Sequence, residues 1–267
     1  MKKYFVTSDV HGYYDILMNE LKKCGWEQNN PNHIFISCGD LLDRGSQPKE
    51  CLQFVNDLPD SRKILIKGNH EVLLASAIRR GVFYGYDYSN GTVHTVYCLN
   101  NDDEKETSAS KNYAYLVNVY ESEDWKNYFY STVPFALLPV KNKKYVFVHG
   151  WLPNYLTGEG SWNKLLNLIK HPENLIISDW EKDAMWANGM NSWSNGKLVD
   201  QDAIVVCGHF HTSWGHTYLH NYGMEFNEQD INDPEQHFEP FIDKGIIALD
   251  ACCAWSSKLN VYVIEGE

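Results

Sequence analysis

The sequence predicts an α/β fold with largely parallel strands in a single domain. Three short apolar runs near the start are each followed by a polar loop and then an amphipathic helix, the rhythm of strand–loop–helix units. Each polar loop gathers carboxylate, imidazole or amide side chains, and ligands in parallel sheets sit at such carboxyl ends of strands. The 267 residues fit one large domain, and no repeat, low-complexity tract or linker divides them.

Residues 4–7 read as a buried strand ending at Ser8-Asp9-Val10-His11-Gly12. The helix that follows places Ile16, Leu17, Leu21 and Cys24 on one face, with Lys22, Lys23 and Gly25 as stop signals. Residues 33–38 form the second strand and exit into Asp40-Leu41-Leu42-Asp43-Arg44-Gly45; Ser46 reads as the N-cap of a helix burying Cys51, Leu52 and Val55. Residues 64–66 form the third, ending at Lys67-Gly68-Asn69-His70-Glu71, and a helix through Leu73, Leu74, Ala77 and Ile78 stops at Gly81. Residues 82–132 are rich in Tyr, Asn and Ser and carry the run Asn101-Asp102-Asp103-Glu104-Lys105-Glu106. They read as an insertion with helix around 111–130 and an exposed loop near 100–110. Such a segment is a solvated flap, or a lid that shapes substrate choice.

Residues 144–148 are a fourth strand ending at His149-Gly150, and Ser161 reads as the cap of a helix using Trp162, Leu165, Leu166 and Ile169. A Trp-rich stretch covers 179–193. Residues 203–207 are a fifth strand ending at Gly208-His209-Phe210-His211, and 246–249 and 259–263 read as closing strands.

Composition narrows the function classes. A net charge of −12 disfavours a protein that clamps nucleic-acid backbone, and it suits bound cations. Seven cysteines, an odd number without a C-x-x-C pair, sit largely in apolar runs and point to a reducing compartment without disulfides. No run of 18 apolar residues is long enough to span a membrane, and Met1-Lys2-Lys3 leads straight into a strand. The expectation is a cytoplasmic protein with no membrane partner.

Five strand ends thus carry polar residues in order: Asp9 and His11, Asp40 and Asp43, Asn69 and His70, His149, then His209 and His211. Taken singly each has an ordinary explanation. Asp9 or Asn69 could cap a helix, and His149 could be a hydrogen-bonded core histidine. As an ordered set on strand tips they suit Mn, Fe, Zn or Mg. They are too many for one ion, and two ions about 3.5–4 Å apart sharing a carboxylate are a device of phosphoryl transfer.

The blocks Asp9-Val10-His11-Gly12, Gly39-Asp40-Leu41-Leu42-Asp43-Arg44-Gly45, Gly68-Asn69-His70-Glu71, Val148-His149-Gly150 and Gly208-His209 resemble the signature of the calcineurin-like metallophosphoesterases. The Asp-Arg-Gly of the second block resembles the phosphoprotein phosphatase branch, in particular its bacterial and phage members. The resemblance implies a four-layer α/β/β/α sandwich with the metals at one edge of two central sheets. It implies two divalent or mixed-valence ions (Mn, or Fe, Zn, Mg or Ni) and hydrolysis of phosphate monoesters by a hydroxide bridging them. Asp9, His11 and Asp40 would hold the first ion, Asp40 would bridge, and Asn69, His149 and His209 would hold the second. His70 would be the general acid, Asp43 would fix its tautomer, and Arg44 would clamp the phosphate.

Three departures stand out. Lys67 replaces the usual arginine before Gly-Asn-His-Glu. Asn188, in Trp186-Ala187-Asn188, stands where a further phosphate-binding arginine is expected, so Asn188 is a candidate substrate contact beside Arg44 and Asn69. His211 resembles a ligand to the first metal found in the wider superfamily, or else packs nearby. The chain has only four arginines. Arg79 and Arg80 lie roughly 14 Å down a helix from His70, and Arg62 precedes its strand, which leaves Arg44 as the single arginine expected at the phosphate. The substrate is a phosphoprotein, as for a serine/threonine protein phosphatase, or a small phosphoester or nucleotide, as for a diadenosine tetraphosphatase. A metal-bound scaffold without turnover is the third alternative.

Overall fold

The computed structural model describes residues 1–102, 107–230 and 233–266. Its strands are β1 (Lys3–Thr7), β2 (His33–Ser37), β3 (Lys63–Ile66), β4 (Thr132–Val133), β5 (Ala136–Val140), β6 (Lys143–Phe147), β7 (Ala203–Cys207), β8 (Phe241–Asp243), β9 (Ile246–Ala248) and β10 (Tyr262–Glu265). They form two five-stranded mixed sheets, ordered β10-β1-β2-β3-β4 and β5-β6-β7-β9-β8. The central pairings β1–β2, β2–β3, β6–β7 and β7–β9 are parallel, and the antiparallel ones lie at edges.

The layers follow from which residues are apolar on which face. One buried cluster holds Val6, Ile34, Ile36 and Ile66 of the first sheet together with Val140, Phe147, Val206 and Ile247 of the second. The sheets therefore pack on each other. The outer face of the first, with Phe5, Phe35 and Leu65, is covered by α1 (Tyr14–Lys23), α2 (Pro48–Asp57) and α3 (Asn69–Arg80). The outer face of the second, with Val146, Val148 and Val205, packs on Leu165 of a helix at Ser161–Lys170 and on Trp180. Strands buried on both sides, such as the wholly buried β2, read as continuous apolar runs. This is the expected α/β/β/α sandwich, in one domain.

Register carries the polar loops to a common end. Val6 pairs with Ile36 and Ser37 with Leu65, so the loops after β1, β2 and β3 leave the first sheet together. Phe147 pairs with Val206 and Cys207 with Ala248, which does the same for the loops after β6, β7 and β9.

Several local expectations are corrected. Ser46 is not the cap of α2: Gln47 is, and Pro48 opens the helix with a preset φ. Gly160, at φ 75°, precedes the helix that begins at Ser161, and the Ser161 hydroxyl accepts the Asp200 N–H instead. The closing strand is β10; Leu259 belongs to the core but lies ahead of it.

Residues 82–132 are the largest revision. Their described part forms α4 (Gly85–Ser89), α5 (Thr92–Leu99), α6 (Ala109–Glu121) and α7 (Glu123–Ser131). Phe83, Val93, Val96, Tyr97, Leu116, Val119, Trp125 and Tyr128 are buried in the same core as α1–α3. The described part of this segment is a wall of the domain. Within its acidic run, Asp102 pairs with Lys111 and accepts the Tyr115 hydroxyl; residues 103–106 lie outside the described residues.

Among the described residues no helix is long and apolar enough to cross a membrane. Cys38, Cys51, Cys207, Cys252 and Cys253 are buried thiols.

Candidate metal centre

A cavity of about 120 Å³ opens where the loops of both sheets meet. Asp9, His11, Asp40, Arg44, Asn69, His70, His209 and His211 line it, joined by Asn90, Trp186, Asp250, Cys252 and Ala254. The backbone there is unusual. Asp9 (φ 54°), His11 (51°), Asp40 (54°), Asp43 (71°), Arg44 (66°) and His209 (66°) are all left-handed, a region that side chains with a Cβ enter only when the surroundings hold them there. Two glycines make room for the carboxylates. A Cβ on Gly68 would fall on Asp40 Oδ1, and one on Gly208 would fall on Ser8 Oγ and Asp9 Oδ2.

Asp40 is central. Its Oδ1 accepts the His70 N–H at 3.0 Å, while Oδ2 lies 3.3 Å from His149 Nε2, 3.9 Å from His70 Nε2 and 4.0 Å from His11 Nε2. Burial opposes its charge, but His149, His70 and His11 together hold it well below the usual carboxylate range. Two groups of possible ligand atoms, each within 4.8 Å, form around it: His11, Asp40 and His70, and Asp40, His149 and His209. They share Asp40.

The remaining candidates converge on these groups. Asp9 Oδ2 accepts from the Ser8 hydroxyl and the His209 N–H, which leaves Oδ1 3.9 Å from His11 Nε2. Burial, then Asp250 and Asp40, raise the Asp9 carboxyl. His11 Nδ1 donates to the Leu42 carbonyl at 3.1 Å, so Nε2 is its bare nitrogen. Burial, followed by His70 and Arg44, pushes its pKa well down, which keeps the ring neutral. His209 is pushed down to about 3 by burial and His149, and its ring packs edge-on against Trp186 at 5.7 Å. His149 donates from Nδ1 to the Cys38 carbonyl and from Nε2 to Asn69 Oδ1, both at 2.8 Å. Burial disfavours its charge, yet Asp40 raises it to about 10.

This donor set fits metal ions. Three buried carboxylates, of Asp9, Asp40 and Asp250, line a small cavity in which Arg44 is the only arginine. His149 Nε2 sits between the carboxylate of Asp40 and the amide oxygen of Asn69, a place suited to a cation. The outward nitrogens of His11 and His149 are fixed on backbone carbonyls, the usual support of ligating histidines.

His70 has a different environment. Its Nδ1–H donates to Asp43 Oδ2 at 2.8 Å, and the buried Thr92 hydroxyl donates to the same oxygen at 2.8 Å. Burial lowers its pKa, but Asp40 and Asp43 outweigh that and raise it. Arg44 spreads its guanidinium 4.8 Å from the Trp255 ring centre, and its buried Nε has no hydrogen-bond partner among the described residues.

Behind the cavity Glu71 accepts the N–H groups of Gly68, Asp40 and Leu41 and the Tyr128 hydroxyl. It fixes the loops after β2 and β3 relative to each other.

One candidate, Asn188, is placed differently from expectation. Asn188 is not among the cavity residues; its side chain caps the helix Gly189–Ser194 by accepting the Asn191 N–H at 3.0 Å, and Trp186 lines the cavity in its stead. His211 lines the cavity but joins neither ligand group, and its ring packs edge-on against Phe226 at 4.8 Å. His216 and His220 do not line it; they bond the Glu239 carbonyl and Asp243. The other three arginines are engaged elsewhere: Arg62 on the His33 and Gln28 carbonyls, Arg79 on the Ser76 hydroxyl and Arg80 on Asp87.

Sequence reasoning missed Asn90, Thr92, Trp186 and Asp250. Thr92 and Asn90 carry no signal without the contact made by α4 and α5. Asp250 did carry one, since it directly follows a strand, as the other site carboxylates do.

Residues 2–236 match the calcineurin-like phosphoesterase family. The chain is 38% identical over 74 residues to the symmetrical bis(5'-nucleosyl)-tetraphosphatase of Buchnera aphidicola, 28% of this chain and 25% of that protein. It is 33% identical over 73 residues to serine/threonine-protein phosphatase 1 of Salmonella typhimurium, 27% of this chain and 32% of the relative. These matches span a quarter to a third of the relatives' length. Among solved structures, the cold-active protein-tyrosine phosphatase of a Shewanella species superposes with a TM-score of 0.53 at 17% identity, over 99% of this chain and 76% of that one. That likeness concerns the fold.

Proposed function

The chain belongs to the calcineurin-like phosphoesterases, and on that premise we propose that it is a dinuclear metal-dependent hydrolase of phosphate monoesters, with phosphoserine or phosphothreonine in proteins as its substrate class. The observation that carries this reading is the carboxylate of Asp40 shared by two groups of possible ligand atoms, one of which includes His70, whose other nitrogen is held by Asp43.

Asp9, His11 and Asp40 would hold one ion, and Asp40, Asn69, His149 and His209 the other. Bound there, the ions would supply Lewis-acid charge to the phosphoryl oxygens and make water a stronger acid. The chain supplies the rest. Arg44, whose guanidinium lies over the Trp255 ring, takes the non-bridging phosphate oxygens through its fork of N–H groups. His70, held at Nδ1 by Asp43, presents Nε2 to the cavity and gives its proton to the departing oxygen. Asp43 keeps the tautomer and stabilises the charged ring. The α4–α5 turn brings Asn90 to the rim, where it helps shape what enters.

A second reading keeps the site and changes the substrate to a dinucleoside polyphosphate. The tetraphosphatase relatives favour it, as does Trp186, an aromatic ring 45% exposed at the cavity. The test is turnover by the purified chain with Mn on p-nitrophenyl phosphate, its bis ester, phosphoserine and phosphothreonine peptides, and diadenosine tetraphosphate. Peptide turnover without nucleotide cleavage supports the first reading, and the reverse supports the second. No turnover of any of them overturns both and leaves a metal-bound scaffold.

A further inference from the structure

Thr92 is the first residue of α5 and is fully buried. Its hydroxyl makes no cap to its own helix, which is preceded by Gly91 in the left-handed region at φ 82°. Instead it donates to Asp43 Oδ2, the oxygen that also takes the His70 Nδ1–H. The other oxygen of Asp43, also buried, has no hydrogen-bond partner among the described residues. Close approach of two backbones makes the contact possible. A Cβ on Gly91 would lie 2.5 Å from the Arg44 nitrogen and 2.7 Å from its Cα, so only glycine lets the α4–α5 turn close on the Asp43–Arg44 backbone.

We propose that Thr92 is a positioning residue for proton delivery: it fixes the rotation of the Asp43 carboxylate, and through it the aim of His70. A carboxylate held by one hydrogen bond on one oxygen can turn about its last bond. A second donor on that same oxygen removes this freedom, and the imidazole it supports is then held in one place. Asp43 and His70 are strand-tip residues of the motif, whereas Thr92 comes from the helical wall. The inference rests on the phosphoesterase reading given above.

The test uses the full-length, Mn-loaded chain and p-nitrophenyl phosphate, with Thr92→Val and Thr92→Ser, each alone and combined with His70→Asn. Thr92→Val is expected to lower kcat about tenfold with KM within about twofold, a part of the roughly 10²–10⁴-fold that general acid–base catalysis contributes. Thr92→Ser, which keeps the hydroxyl, restores kcat to within about twofold of the parent. In the His70→Asn background Thr92→Val changes kcat by less than about twofold, because residues acting as one unit are not additive. An equal tenfold loss in both backgrounds, a loss residing in KM, or failure of Thr92→Ser to restore turnover overturns the proposal. Should Thr92→Val fail to fold, Thr92→Ala carries the same expectations. A parent chain inactive on every ester overturns the phosphoesterase reading itself; an active parent with additive losses overturns only the role of Thr92.

Discussion

The strand-tip loops and the helical wall of 82–132 meet at one cavity but face it differently. The loops offer side chains to the cavity itself: Asp9, His11, Asp40, Asn69, His70 and His209. The wall supports two of the loops' carboxyl groups from behind, through the hydroxyls of Thr92 on Asp43 and Tyr128 on Glu71. Among the described residues of the wall, Asn90 alone lines the cavity. The groups proposed to react thus sit on loops at the strand ends and on the first turn of α3, while groups that hydrogen-bond to them come from a distant part of the chain. Changes to the loops should abolish chemistry with the fold intact; changes to the wall should cost stability or alignment first.

Asp40→Ala tests the loop side most severely. Because both ligand groups use this carboxylate, both ions are expected to be lost and turnover to fall at least about a thousandfold, roughly 4 kcal/mol. Metal analysis together with kinetics reads this, and one ion retained at full occupancy would break the shared-ligand picture. His70→Asn comes next. Metal content stays near that of the parent while turnover drops about a hundredfold, the low end for a general acid; loss of one ion would move His70 from acid to ligand.

On the wall side, Tyr128→Phe removes one of four donors to the buried Glu71 carboxylate. The expected result is a loss of about 1–2 kcal/mol in urea unfolding, with turnover within about twofold. A fall in turnover larger than the fall in stability would blur the division. Asn188→Ala should matter least, costing about 1 kcal/mol as a lost helix cap with KM unchanged, whereas a raised KM would return Asn188 to the phosphate.

Much of the loop side was legible in the chain. Apolar runs marked β1, β2, β3, β6, β7 and β9, and their parallel pairing sends each to the same edge, so residues just beyond them could be gathered without knowing any distance. The strands β4, β5 and β8 were missed for physical reasons. β4 has two residues, β5 contains Pro139 and is largely half-exposed, and β8 has three residues of which two are exposed. None offers a periodic apolar pattern. How deeply the wall packs was not legible, because part of its buried face is tyrosine and tryptophan rather than aliphatic residues. Tyr97 and Tyr128 are wholly buried, yet each hydroxyl needs an acceptor, Asn112 and Glu71 respectively. Such pairing is set by tertiary contact. The placement of Asn188 failed likewise: the short helix after it needed a cap, and a local hydrogen bond took the side chain.

The left-handed backbone at Asp9, His11, Asp40, Asp43, Arg44 and His209 also bears on how this sequence would age if its reaction ceased to matter. A residue with a Cβ gives up roughly 1–2 kcal/mol in that region, and glycine does not. Selection for function and selection for folding therefore pull in opposite directions at six positions around the cavity. A copy freed from the first would drift fastest at its centre, trading aspartate and histidine for glycine or asparagine while its sheets stayed sound. Decay in such a lineage would first show as a well-folded protein with blank turns.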